Sequence, residues 1–277
     1  MLKIKISFVI VLLSVFLGIP SSYAGYVVDG DVADWGVVLG DGSDAAGYLD
    51  TNTPNATDTV DFITEDNASS MTKGWYRVGP GYTFGGKGYD GNAFDTEAIY
   101  LDNDSTNLYI AVITGLPIQG ATAPGNPWFL PGDIGISLNG PDNFEYAIDV
   151  SSYDAAVGGA HLYNNAVWNN SVYSQHAAAD PWCIAADTGV DQGTIDFVYG
   201  ADIESHHVLE ACIPLDSLGI FDLTEDTDIW VHWAMQCGND YLTLNGDVNP
   251  VPTPEPATVL LLGPALLGLI AKRKKRV

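Results

Sequence analysis

The chain has 277 residues, 47% apolar and 11% aromatic, with 35 Asp and Glu against 10 Lys and Arg. Seven of the cations stand at the two ends, so residues 25–256 keep only Lys73, Arg77 and Lys87 against all 35 acids, a net of −32. Such a body repels phosphate backbones and anionic lipid, which excludes nucleic acid as a partner, while its apolar content suffices for a folded core.

At the start of the chain, Met1–Lys5 is basic, Ile6–Pro20 is almost unbroken apolar sequence, and Ser22-Tyr23-Ala24 puts small residues where a signal peptidase reads. Residues 1–24 are therefore expected to be a secretory signal cut between Ala24 and Gly25, the apolar run being short for a membrane span.

Residues 25–249 carry short alternating strands and no long apolar repeat of 3.6 residues. Gly36–Tyr89 is rich in Gly, Asp, Asn and Thr and offers one strand, Thr59–Ile63. Ala98–Leu101 and Leu108–Thr114 flank a turn-rich loop and read as a hairpin. Ile134, Ile136 and Leu138 point one way, as do Phe144, Tyr146, Ile148 and Val150 across the Asn139-Gly140-Pro141-Asp142 turn. Leu209, Ala211 and Ile213 alternate up to Pro214, which should end that strand. Ile229–Gln236 is large on both faces and is expected to be central. Thr114–Pro131 and Ser151–Asp191 read as irregular loops. The expected fold is all-β, an antiparallel β-sandwich with long irregular loops.

Motifs for chemistry are few. Gly81-x-x-x-x-Gly86-Lys87 nearly matches a phosphate loop, but Gly88 stands where the Mg²⁺-holding hydroxyl belongs. Ser70-x-x-Lys73 lacks the partner motifs of an acyl-transfer serine. The histidines show no metalloprotease spacing, and the rings of His206 and His207 should face opposite sides of a strand. Calcium is the better use of so many carboxylates, since it takes six to eight hard oxygens from flexible loops. Three clusters are dense enough: Asp29/Asp31/Asp34, Asp102/Asn103/Asp104/Asn107 and Asp222/Glu225/Asp226/Asp228. The same spacings also describe turns whose Asp and Asn cap their own backbone. Loop tryptophans Trp75, Trp128, Trp168 and Trp182 are candidates for stacking on a sugar, or for closing the ends of the sandwich. Cys183, Cys212 and Cys237 in an oxidising compartment predict one disulfide and one spare thiol, with three pairings open.

At the far end, Pro250–Pro256 is a Pro-rich linker containing Pro254-Glu255-Pro256. The apolar segment 257–271 follows, then the basic tail 272–277 with Lys272, Arg273, Lys274, Lys275 and Arg276. The apolar segment is short for a bilayer, but flanking cations can snorkel, leaving the basic end in the cytoplasm. This order of linker motif, apolar segment and basic cluster resembles the PEP-CTERM sorting signal of bacterial exosortase substrates. The resemblance implies an exosortase-type processing enzyme as partner, transient membrane anchoring, removal of the tail, and delivery to the cell surface or extracellular matrix.

A second resemblance covers most of residues 25–249. Val28-Asp29-Gly30-Asp31-Val32-Ala33-Asp34-Trp35, Glu97–Leu101 leading into Asn107–Val112, Gly132-Asp133-Ile134-Gly135-Ile136 and Leu209–Gly219 are similar in order and spacing to the family 9 carbohydrate-binding module. Trp233–Asp240 before the tail is similar to surface proteins that carry both this domain and the sorting signal. The family implies a β-sandwich, no catalytic machinery, and often sugar and calcium ligands. Glu97, Glu145 and Glu210 lie in predicted strands among apolar neighbours, where burial raises a carboxyl pKa as a glycosidase acid requires. Glu210 matches a family position that is retained without being catalytic, which implies structural hydrogen bonding. The chain thus reads as an exported, non-enzymatic surface or matrix protein; the alternatives are a glycan-binding module for extracellular polysaccharide and a secreted hydrolase of that polysaccharide.

Overall fold

The computed structural model describes residues 25–37, 39, 60–64, 92–122, 127–172, 179–201, 203, 206–238 and 240–250. Among these the strands are β1 (Asp61–Thr64), β2 (Thr96–Asn103), β3 (Asn107–Thr114), β4 (Ile134–Ser137), β5 (Tyr146–Asp154) and β6 (Gly159–Asn164). The chain continues through β7 (Trp168–Asn169), β8 (Cys183–Ile184), β9 (Val190–Tyr199), β10 (His207–Pro214), β11 (Thr227–Ala234) and β12 (Tyr241–Val248). Ten of them form one antiparallel sheet in the order β1-β2-β3-β10-β9-β6-β5-β4-β11-β12, and β7 and β8 form a separate ribbon.

The sheet curls until its two ends meet. Asp247 of β12 donates its N–H to Asp61 of β1 at 2.7 Å, and Asn249 and Asn103 exchange backbone–side-chain bonds beside it. Gly246 permits this approach: a Cβ there would lie 2.8 Å from Leu101 and 2.7 Å from the Asp61 carboxylate. The result is an all-β, sandwich-like fold, nearly a barrel, with one face of the ten-stranded sheet on a common core. Ile99 and Leu101, Ile110 and Val112, Ile134 and Ile136, Leu209 and Ala211, and Val231 and Trp233 meet there.

The outer face of β2, β3 and β10 is also apolar, because a second layer covers it. Val32, Trp35 and Val37 pack on Ala98, Tyr100, Ala111, Ile113 and Val208. These strands are therefore buried on both faces and read as nearly continuous apolar runs.

The two expected hairpins form, with Leu101 opposite Ile110 and Ile134 opposite Ile148. β10 ends at Pro214 as expected, and β11 lies between β4 and β12. The stretch 151–191 departs from its reading as loop: it continues β5 and adds β6, the β7–β8 ribbon and the start of β9. The expected disulfide does not form: Cys183, Cys212 and Cys237 are not bridged to one another. They lie on different layers: Cys237 in the core, Cys212 against the N-terminal cover, and Cys183 in the outer ribbon.

Candidate functional site

On strand β5, Ile148 and Val150 enter the core, so Asp149 between them points outward. Asp149 is directly opposite His161 on β6, and Tyr163 of β6 is directly opposite Asp191 on β9. Paired residues share a face, so these four side chains stand together on the outside of the sheet. Segment 182–189 arches over them. The space between holds a cleft of about 910 Å³, lined on the sheet side by Asp149, Tyr163 and Asp191 and on the cover side by Trp182 and Asp187. Ile118 and Leu130 form its apolar lip.

Asp133 tethers the cover to the sheet. Its Oδ1 accepts the Val150 N–H at 2.8 Å and its Oδ2 the Ile184 N–H at 2.8 Å, while its own N–H donates to the Trp182 carbonyl at 2.8 Å. Burial pushes its carboxyl up to about 7, and the charge of Asp149 adds to this against the pull of the N–H donors. Burial likewise pushes the Cys183 thiol up to about 11, which leaves it a poor nucleophile. His232 on β11 holds the same cover through the Pro181 carbonyl at 2.9 Å; burial lowers its pKa to about 4, so it is neutral.

The cleft itself is anionic. Tyr163 is pushed above its ordinary value by burial and then by the charges of Asp191, Asp149 and Asp187. Asp191 is held low by the Gly193 N–H and by His161, whose Nδ1 lies 2.9 Å from it. The sequence contains no Lys or Arg between Gly88 and Ala271. Among the described residues, the basic side chain beside these carboxylates is therefore His161, on Asp191.

The stacking candidates separate. Trp182 lines the cleft. Trp128 is 55% exposed, yet its ring is fixed by Nε1 donating to the Gln119 carbonyl at 2.6 Å. Trp168 is half-buried, packs edge-on against Phe144 and donates to its carbonyl at 2.9 Å, so it closes the sheet rather than opening a platform. Trp75 lies outside the described residues, as do the phosphate-loop match, Ser70, Lys73, Ala24, Pro254-Glu255-Pro256 and Lys272–Arg276.

The acidic clusters turn inward on their own loops. Asp31 donates to Asp29, Ala33 to Asp31, and Val27 to Asp34, all through backbone N–H groups. Asp104 accepts from Thr106 N and Oγ1, from Asn107 N at 2.7 Å and from Tyr109 OH at 2.7 Å. Its partial burial acts upward, but these donors outweigh it and hold the carboxyl low. Asp102 accepts from Tyr26 OH at 2.7 Å, and Asp222 from the Thr224 N–H. These carboxylates cap the backbone of their own turns. No group of three or more metal-ligating side chains is arranged for an ion among the described residues.

The strand glutamates are also engaged. Glu210 Oε2 accepts Asp29 N–H at 3.0 Å and Gly30 N–H at 2.7 Å, and Oε1 accepts the Trp35 indole N–H at 2.9 Å. Burial still raises it to about 7. Glu145 holds the β4–β5 turn through Leu138 N and Asn139 Nδ2, and Glu97 is buried 3.8 Å from His206. Asp133 and Asp149 escaped the sequence reading, although each is a lone acid in an apolar run, the same signal that marked Glu210.

No protein-family profile matches this chain, and no curated protein matches it in sequence.

Proposed function

We propose that this is an exported, non-enzymatic surface or matrix protein, sorted by its tail. The observation that carries the reading is the order Pro254-Glu255-Pro256, apolar segment 257–271 and basic cluster Lys272–Arg276, behind a signal segment ending at Ala24. Signal peptidase and an exosortase-type enzyme would trim the two ends, leaving the β-domain outside the cell. The non-enzymatic part is supported by the engagement of these acids: buried Glu210 binds the N-terminal segment, buried Asp133 the cleft cover, and half-buried Glu145 a turn. A glycosidase acid instead has to reach a substrate oxygen. Mass spectrometry of protein recovered from the surface of its native host tests the sorting. The expected product lacks Lys272–Arg276; an intact C-terminus there overturns it.

One observation favours a second reading in parallel, that the domain binds a glycan. Trp182 lines an open cleft, and Trp128 presents a fixed, exposed ring on the segment that supplies the cleft's lip. Flat aromatic faces of this kind stack on the C–H faces of sugar rings.

A further inference from the structure

We infer that the cleft takes a cationic saccharide, an amine-bearing sugar chain, rather than a neutral one. The inference rests on the glycan-binding reading and adds the charge of the ligand. Three observations on different elements converge on it. Asp149, Asp187 and Asp191, from β5, the cover and β9, line one cleft with Tyr163, and the basic side chain described beside them is His161, 2.9 Å from Asp191. An ammonium group entering there meets carboxylates and an aromatic face together, the two environments that stabilise it most. An exposed ring beside the cleft is the second observation, Trp128 standing two residues from Leu130 of the lip. Ala121 and Phe129 pair as a short bridge in which Phe129 faces in, so Trp128 and Leu130 on either side of it face out together. The Trp128 ring loses little freedom on stacking, because its N–H bond to Gln119 already fixes it. Size is the third: about 910 Å³ accommodates more than one sugar ring.

A basic peptide would satisfy the carboxylates but does not require the pinned tryptophan. A bare divalent ion would leave the aromatic walls without a role. An amine-bearing sugar chain uses both.

The test is calorimetric titration of the full chain with a glucosamine oligomer, its N-acetylated counterpart and a lysine oligomer of equal charge. Saturable binding of the glucosamine oligomer, at least about tenfold tighter than either comparison, is expected. Asp187→Asn is the cleanest variant, because Asp187 sits at φ 59, a conformation Asn adopts readily, and makes no hydrogen bond that the fold needs. Asp149→Asn keeps the oxygen that accepts the Ser151 hydroxyl. Each should weaken binding about threefold and the pair about tenfold, while Asp222→Asn on an exposed turn should change it less than about twofold. Trp128→Ala should cost at least about fivefold. Equal binding of the N-acetylated oligomer overturns the charge assignment and leaves glycan binding standing. Equal binding of the lysine oligomer overturns the saccharide assignment, and so does an unaffected Trp128→Ala variant. Equal losses in the Asp187 and Asp222 variants mean general attraction to an acidic protein and overturn the site. No binding of either sugar overturns both readings.

Discussion

Replacing Glu210 with Gln probes the joint between the N-terminal cover and the sheet. The carboxylate takes three N–H donors, from Asp29, Gly30 and Trp35, and the last two belong to buried residues. An amide has one oxygen. Its better orientation keeps that oxygen on Asp29 and Gly30 and turns the NH₂ group toward the Trp35 indole N–H, donor against donor. A protonated carboxyl avoids this clash, because its hydroxyl oxygen retains a lone pair for the indole. A buried donor without an acceptor costs about 1–3 kcal/mol, so near pH 4.5 the variant should be less stable by about 2 kcal/mol.

Raising the pH should close that gap and then reverse it slightly. Burial lifts the folded carboxyl to about 7 from an ordinary 4.5. Between those values the folded protein holds a proton that the unfolded chain has released. Wild-type stability therefore falls as pH rises through this window, by about 3 kcal/mol in all, and the Gln variant lacks this dependence. Urea unfolding at pH 4.5, 6 and 8 (roughly spanning the window) would read the difference directly. A variant indistinguishable from wild type at the acid end refutes the three-donor joint. A gap that widens with pH refutes the raised pKa, and would mean that the three donors hold the charged form more strongly than burial opposes it.

Two further outcomes follow from the seam and the thiols. Asp228 and Asp247 lie directly opposite on β11 and β12; burial, then Asp228 and Asp61, raise Asp247, so Asp228→Asn should stabilise the protein at pH 7 by only about 0.2–0.5 kcal/mol, because solvent screens this exposed pair, and by little at pH 4. Sodium chloride should raise the melting temperature of the wild type more than that of this variant, and a melting temperature unchanged between chelator and millimolar Ca²⁺ would remove structural calcium. The three cysteines should all alkylate after unfolding without reductant, with Cys183 slow in the native state at pH 8 because its thiol sits at about 11; a single disulfide in the mass spectrum contradicts this.

Where both faces of a strand are buried, the sequence announces the strand, as at Ala98–Leu101 and Leu108–Thr114 under the Trp35 layer. The outer half of the sheet is harder to read. β6 and β9 place Ala160 and Gly193 where a core strand would show large residues, and they turn His161, Tyr163 and Asp191 outward, the last two into the cleft. Their alternation is masked by small residues inside and polar ones outside, so the stretch looks like loop. Leu242, Leu244 and Val248 of β12 do alternate, but Gly246 interrupts them at the point where β1 needs close approach. The cleft was legible only as parts. Trp128 and Trp182 were marked by type, whereas Asp149, Asp187 and Asp191 become a group only through the β5–β6–β9 register and the arch of residues 182–189.

The absence of Lys and Arg between Gly88 and Ala271 shapes the fold as well as the charge. A carboxylate in such a chain finds its donors mainly among backbone N–H groups, with hydroxyl, amide and indole donors beside them, and Asp104, Asp133, Glu145 and Glu210 each do so at a turn or joint. Acids of this kind act as local connectors, and their charge is spent within the loop they organise. The cleft differs because its carboxylates converge from three separate elements on one ring. Convergence of like charge costs stability, and among the described residues the basic side chain beside it is His161. A ligand that carries the missing positive charge would remove that cost on binding, so saturation with it should raise the melting temperature by more than an equal ionic strength of sodium chloride does. The same rise in the Asp149→Asn/Asp187→Asn double variant would show that the gain comes from elsewhere on the acidic surface.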